Sequence, residues 1–121
     1  MDSYGELRCL DAGSGERVWE DLTATPKIRW GTIHFVRLAE SLRGDPSKGE
    51  KVWLFNERGE LLIGRLSPKG FEEISRTKII DPTTSQLPRG DGVVWSHPAF
   101  ADRCVFARND KELICVSVAA K

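Results

Sequence analysis

The chain lacks an excess of either charge, because its 18 Lys and Arg residues are balanced by 18 Asp and Glu residues. A balanced chain has no single-sign field to attract a nucleic-acid backbone or an anionic membrane surface, so polyanion binding is disfavoured. It also has no apolar run near the roughly 18 residues that indicate a membrane span, and no basic-then-apolar signal pattern at its N-terminus. The composition predicts a globular domain with no nucleic-acid partner and no membrane span.

Cysteine and histidine are also scarce. The three cysteines include no metal-binding CxxC pair, so neither a disulfide framework nor a thiolate metal site is indicated. The two histidines, His34 and His97, stand apart in β-like segments without a Cys or acidic partner at ligand spacing. Structural or surface roles are therefore favoured over acid-base or metal chemistry. No catalytic residue, metal site or cofactor is predicted within the chain.

What the sequence does contain is an internal repeat. Glu-Leu pairs begin at Glu6, Glu60 and Glu112, with a spacing of about 50 residues. Apolar runs at 52–55 and 104–107 precede the second and third pairs across short polar turns, which predicts two β-hairpins. Further upstream, two segments share a Trp followed five residues later by a Phe. They are 30–35 and 95–100.

The repeat predicts nine strands and no helix. With the strands of one unit labelled A to D, the chain contains C and D, then A to D, then A to C. A period near 50 residues with four antiparallel strands is typical of β-propeller blades. We therefore expect residues 1–121 to be an all-β partial propeller, with one complete and two partial antiparallel blades. The blade segments are approximately 5–22, 27–80 and 92–119.

Three blade segments cannot close a ring, since known propellers use about four to eight blades. We therefore expect a fragment of a larger propeller, completed either by missing blades or by self-association of several copies. In the second case, N-terminal strands of one chain would complete the last blade of another. A β-sandwich or barrel is the structural alternative.

The turn that begins at Asp11 resembles the repeat of quinoprotein-type, or PQQ-like, β-propellers, which reads Ala-x-Asp-x-x-Thr-Gly-Lys-x-x-Trp. Asp11, Gly15 and Trp19 match that pattern, whereas other residues occupy the Ala, Thr and Lys places. In the second copy, Leu66 and Ile74 replace the Asp and the Trp. The resemblance implies that Trp19 docks between adjacent blades and that the Asp11–Gly15 turn braces it.

The overall pattern, including WSHPAF and ARNDKELICV, is similar to the C-terminal part of bacterial PQQ-like repeat proteins. This resemblance implies a non-catalytic propeller portion that acts as a protein-interaction scaffold, in a periplasmic or otherwise extracytoplasmic setting. The alternative is the C-terminal fragment of a pyrroloquinoline-quinone-dependent dehydrogenase, which would use PQQ and Ca²⁺. The repeat pattern does not itself establish cofactor binding, and unpaired cysteines leave the cytoplasm open as a location.

Several further side chains are candidates for packing or contact. All four tryptophans are expected to pack in or between blades. A hairpin centred on residues 109 and 110 would place Cys104 opposite Cys115, which allows a cross-strand disulfide, although two free thiols are favoured.

The turns between strands B and C should lie on the same face as the connections from strand D of one unit to strand A of the next. Ordinary solvated turns are favoured there over a ligand site. The candidate residues of that interaction face are Arg89, Asp91, Arg108 and Asp110, and the tryptophans are Trp19, Trp30, Trp53 and Trp95.

Overall fold

The computed structural model describes residues 4–38, 45–86 and 90–119. Within these ranges the chain forms nine strands and no α-helix, with one 3₁₀ turn at Pro46–Lys48. The strands are β1 (Leu7–Leu10), β2 (Arg17–Asp21), β3 (Ile33–Arg37), β4 (Glu50–Asn56), β5 (Glu60–Ser67), β6 (Gly70–Lys78), β7 (Ala99–Ala101), β8 (Cys104–Arg108) and β9 (Leu113–Ser117). All strand pairs are antiparallel, so the predicted all-β antiparallel class is confirmed.

The nine strands are divided among three sheets in chain order. The first sheet has the order β1-β2, the middle sheet β3-β4-β5-β6, and the last sheet β7-β8-β9. This is the predicted division into two, four and three strands. The segments after Trp30 and Trp95 therefore belong to different sheets, as β3 and β7. The described sheets stay open and do not close into a barrel.

The two central strands of the middle sheet, β4 and β5, are buried on both faces, which explains their continuous apolar runs. Because side chains alternate between faces along a strand, the fully buried neighbours Leu54 and Phe55 point into different cores. The first core lies at the first junction, between the first and middle sheets, and the second core at the second junction, between the middle and last sheets. The buried members of the first core are Leu7, Ala24, Ile33, Val52, Leu54 and Leu62. Those of the second core are Phe55, Leu61, Ile80, Val94, Val105 and Ala107.

The β4–β5 turn depends on a glycine. Gly59 has a φ of 75°, and a Cβ at this position would lie 1.9 Å from the carbonyl oxygen of Ile80. Its carbonyl oxygen accepts a hydrogen bond from the backbone N–H of Ile79 at 2.9 Å. A side chain here would meet both backbone strain and a steric clash. Gly59 therefore holds the β4–β5 turn against Ile79 and Ile80, where the connection from β6 to the last sheet begins.

The β8–β9 register differs from the prediction. Asn109 pairs with Glu112 through an N–H to O bond of 3.1 Å, so the turn is centred on Asp110 and Lys111 rather than on Asn109 and Asp110. Cys115 consequently lies opposite Phe106, and Cys104 lies opposite Ser117. The expected direct pairing of Cys104 with Cys115 is wrong by two positions. The two cysteines are diagonal neighbours on one face, and both are free thiols.

Candidate functional site

Trp19 joins the first sheet to the middle sheet. Its indole Nε1–H donates to the carbonyl oxygen of Ser67 at 2.9 Å, and its half-buried ring packs against the first core. Ser67 is the last residue of β5, so the bond spans the first junction. The contact combines the large apolar area of an indole with the single polar partner that its N–H requires.

The turn before Trp19 is organised by Asp11. Its Oδ1 accepts hydrogen bonds from the backbone N–H groups of Gly13 at 2.9 Å and Ser14 at 2.7 Å. The bonds from Ser14, backbone first, hold the pKa of Asp11 below its ordinary value. Gly15 has a φ of 75° in this turn. Asp11 and Gly15 therefore fix the direction in which β2 carries Trp19 to the middle sheet.

The turn between β4 and β5 contains a buried carboxylate that no sequence pattern indicated. Glu57 is 1 % exposed, and its two carboxylate oxygens accept bonds from the Thr25 hydroxyl and the Thr32 backbone N–H, both at 2.8 Å. Its backbone carbonyl accepts from Val94 N–H at 2.8 Å. Glu57 thus connects the segments that enter and leave the middle sheet. The expectation of an ordinary solvated turn is wrong here.

A second polar group extends this network along the middle sheet. The Asn56 side chain, which is fully buried, donates to the carbonyl oxygen of Ala24 at 3.2 Å and to Glu60 at 2.7 Å. Arg76 donates to Glu60 at 2.6 Å and to the carbonyl oxygen of Thr23 at 2.7 Å. Buried polar atoms are costly unless they are paired, and here each supports its neighbour. The network holds the segment after β2 against the middle sheet.

The described residues of the predicted interaction face have different partners. Asp110 accepts hydrogen bonds from the Thr83 hydroxyl and, at 3.2 Å, from Gln86, and the Thr83 bond is the main reason why the pKa of Asp110 is lowered. The positive charge of Arg108 also contributes to lowering the pKa of Asp110. Asp91 instead lies 3.5 Å from Arg58, with its own side chain 85 % exposed.

Turns and crossings therefore do meet on this face, as expected from the strand order. Asn109 also donates to the carbonyl oxygen of Asp81 at 2.9 Å, so the β8–β9 turn is bound to the crossing in two places. However, the acidic groups Asp91 and Asp110 are engaged with different partners, and Arg89 lies outside the described residues. Among the described members, Asp110 therefore lies near Arg108, whereas Asp91 pairs with Arg58.

The tryptophans divide into packed and exposed residues. Trp53 packs against the second core, with its ring centroid 5.8 Å from that of Phe100. Trp95 is partly buried, and its Nε1 has no hydrogen-bond partner among the described residues. Trp30 is 52 % exposed, has a φ of 70°, and lies beneath the Arg29 guanidinium at 5.0 Å. The prediction of a packing role is therefore wrong for Trp30, whose ring makes a surface cation–π contact.

His34 and His97 are brought together, contrary to the expectation of two isolated side chains. Their ring centroids are 4.6 Å apart, with an interplanar angle of 55°. Burial, followed by the neighbouring charge of His97, lowers the pKa of His34. The residues are distant in sequence and occupy different places in their repeat units, so no local pattern indicated the contact.

Two open clefts lie on the middle sheet. One, of about 730 Å³, is at the first junction beside Trp19, Phe35 and Leu66. The other, of about 750 Å³, has four basic and two acidic side chains in its lining. The basic ones are Lys48, Lys51, Arg65 and Lys69, and the acidic ones are Asp45 and Glu72. Neither cleft includes the histidine pair.

Within the described part of the chain, no three His, Cys, Asp or Glu side chains are grouped as a metal-binding set. None of the helical turns found there is long or apolar enough to cross a bilayer. Comparisons with protein-family models, with curated proteins and with solved structures found no match to this chain.

Proposed function

We propose that this chain is a non-catalytic portion of a PQQ-like β-propeller and acts as a rigid scaffold for protein–protein interaction. Its three sheets would be successive blades, and its setting would be extracytoplasmic. Two features support the propeller interpretation. Each core lies between sheets that follow one another in the chain, and Trp19 occupies the junction where the repeat resemblance expects it.

The observation that carries the scaffold proposal is the uncovered outer face of the last sheet. Val105 and Ala107 point into the second core, so the alternation of β8 directs Cys104 and Phe106 to the opposite face. On β9, Leu113 is 71 % exposed and shares that outer face with Cys115. An apolar face of this kind favours association over isolation in water.

The same sheet also offers an open edge. Within the described residues, β9 pairs only with β8, so its other side presents unpaired backbone N–H and C=O groups. Such an edge is a template for a further strand. The partner that fits both the edge and the apolar face is another β-sheet, either a neighbouring blade or a second copy of this chain.

Sedimentation of the purified chain at increasing concentration tests this proposal. We expect reversible association, and we expect Leu113→Glu to abolish it because a charge would be buried at the contact. Ile74→Glu is the matched control, since Ile74 is 44 % exposed and belongs to β6 of the middle sheet, not to the last sheet. A chain that stays monomeric at every concentration, or equal effects of the two variants, would contradict the proposed interaction face.

A dye-reduction assay with PQQ and Ca²⁺ tests the non-catalytic part of the proposal. The assay uses the full-length protein, because the dehydrogenase alternative places its catalytic ligands in blades outside this chain, and we expect no cofactor-dependent turnover. Turnover that requires both the quinone and the cation would instead support the dehydrogenase alternative.

A further inference from the structure

The two histidines meet where the middle and last sheets lie side by side. His34 is on β3, an edge strand of the middle sheet, and His97 lies just before β7, an edge strand of the last sheet. His34 is half-buried, whereas His97 is exposed to solvent. The pair is therefore held by two sheets and can still be reached by a small ion.

Each imidazole is oriented by a backbone carbonyl. His34 Nε2 lies 3.3 Å from the carbonyl oxygen of Trp95, and His97 Nδ1 lies 2.7 Å from that of Pro98. A carbonyl oxygen only accepts hydrogen bonds, so these two nitrogens carry the protons of the neutral rings. The lone pairs then belong to His34 Nδ1 and His97 Nε2. A ring N–H donated to a carbonyl is the usual support of a histidine metal ligand.

The spacing of the rings also fits a shared ion. A metal–nitrogen bond of about 2.0–2.1 Å places an imidazole centroid about 3.2 Å from the metal, so two rings at right angles or a tetrahedral angle are about 4.5–5.2 Å apart. The observed centroid separation of 4.6 Å lies within this range. The centroid separation is therefore compatible with one shared ion.

We propose that His34 and His97 together bind one divalent transition-metal ion of the Zn²⁺, Ni²⁺ or Cu²⁺ class, through His34 Nδ1 and His97 Nε2. Imidazole is a preferred ligand of all three ions. No third His, Cys, Asp or Glu completes the set in the described ranges, so water occupies the remaining coordination positions. The bound ion links the middle sheet to the last sheet across the second junction.

The test is calorimetric titration of the tag-free chain with Zn²⁺ alone. The combined Cys9→Ser, Cys104→Ser and Cys115→Ser background removes the thiols, which would compete for the metal. We expect one ion per chain. His34→Gln and His97→Gln should each weaken the binding at least about tenfold, because each removes one of two protein ligands. Glu112→Gln, at an exposed position on the β8–β9 turn, is the control and should leave the affinity unchanged.

Histidine side-chain nitrogen NMR of the same background without His substitutions provides a second readout, which does not depend on the folding of the glutamine variants. We expect Zn²⁺ to shift the resonances of His34 Nδ1 and His97 Nε2 together. Binding that is insensitive to both histidine variants, or a titration in which neither ring shifts, would overturn the proposal.

Discussion

The two junctions that flank the middle sheet are built differently. The first is fastened by directional polar contacts, with the Trp19 indole bound to Ser67 and Arg76 bound to the carbonyl oxygen of Thr23. The second combines aromatic packing of Trp53 against Phe100 with bonds to backbone carbonyls, from Val94 N–H to Glu57 and from His34 Nε2 to Trp95. At the place in the second repeat that corresponds to Trp19, Ile74 is 44 % exposed. Related repeats therefore stack with or without the indole, provided that an apolar core forms between the sheets.

The largest expected effect comes from emptying either core. Leu54 and Phe55 are adjacent on β4, are both fully buried, and point into the first and second cores respectively. We expect Leu54→Ala to cost about 2–5 kcal/mol and Phe55→Ala about 3–5 kcal/mol in the free energy of unfolding, measured by urea titration.

Amide hydrogen exchange locates the damage from these two substitutions. Leu54→Ala should accelerate exchange mainly in β1 and β2, and Phe55→Ala mainly in β7 to β9, because each opens a different junction. Uniform acceleration in both variants would show that the two junctions are one cooperative unit.

A smaller effect is expected when the indole N–H is removed from the first junction. Trp19→Phe keeps an aromatic ring but leaves the Ser67 carbonyl without its donor, at an expected cost of about 1 kcal/mol in the free energy of unfolding. Trp30→Phe is the matched control, because Trp30 is 52 % exposed and should change stability little. Equal losses in the two variants would mean that the Ser67 bond does not stabilise the junction.

The turn that positions Trp19 should be similarly sensitive. Gly15→Ala places a side chain at a φ of 75°, and no atom lies within 4 Å of the new Cβ, so any cost reflects backbone strain alone. We expect about 1 kcal/mol of destabilisation by thermal unfolding. Gly13→Ala is the comparison, since Gly13 does not have a positive φ. A neutral result for Gly15→Ala would mean that the turn relaxes without strain.

The smallest expected effect is a pH dependence of the free energy of unfolding that arises at the second junction. Because the pKa of His34 is lowered in the folded state, the unfolded chain binds a proton first as the pH falls below the ordinary value of 6.5. Stability should therefore be complete above pH 6.5 and should decline as the pH falls from there toward the lowered pKa. His97, which faces His34, adds repulsion when both rings are charged.

Denaturant titrations in EDTA between pH 7.5 and 5 measure this decline. His34→Gln should flatten the curve, whereas Trp19→Phe should lower it without changing its slope. An unchanged slope in His34→Gln would assign the titration to another group.

The sequence predicted the parts of the fold that depend on local pattern. Alternating apolar residues and short polar turns identified nine strands, and the repeat predicted their division into two, four and three. The β8–β9 register escaped prediction, because Asn109 and Asp110 are both good turn residues and only the closing pair Asn109–Glu112 fixes the centre.

The candidate site was predicted less completely, because its main contacts depend on residues distant in sequence. A glutamate in a turn is ordinarily solvated, and nothing near Glu57 in sequence indicates that Thr25 and Thr32 will surround it. The same holds for His34 and His97, which meet only after two sheets have packed. The Trp19 turn could be predicted from the sequence, because Asp11, Gly15 and Trp19 act within one short segment.

The outer face of the last sheet has a practical consequence. Cys115 is exposed on that face, whereas Cys9 lies beside Trp19 in the first sheet, so the two thiols sample opposite ends of the stack. The alkylation rate of Cys115, normalised to that of Cys9, thus provides a built-in chemical footprint. Any molecule that binds to the outer face of β8 and β9 should slow the alkylation of Cys115, even if it does not change the conformation of the chain.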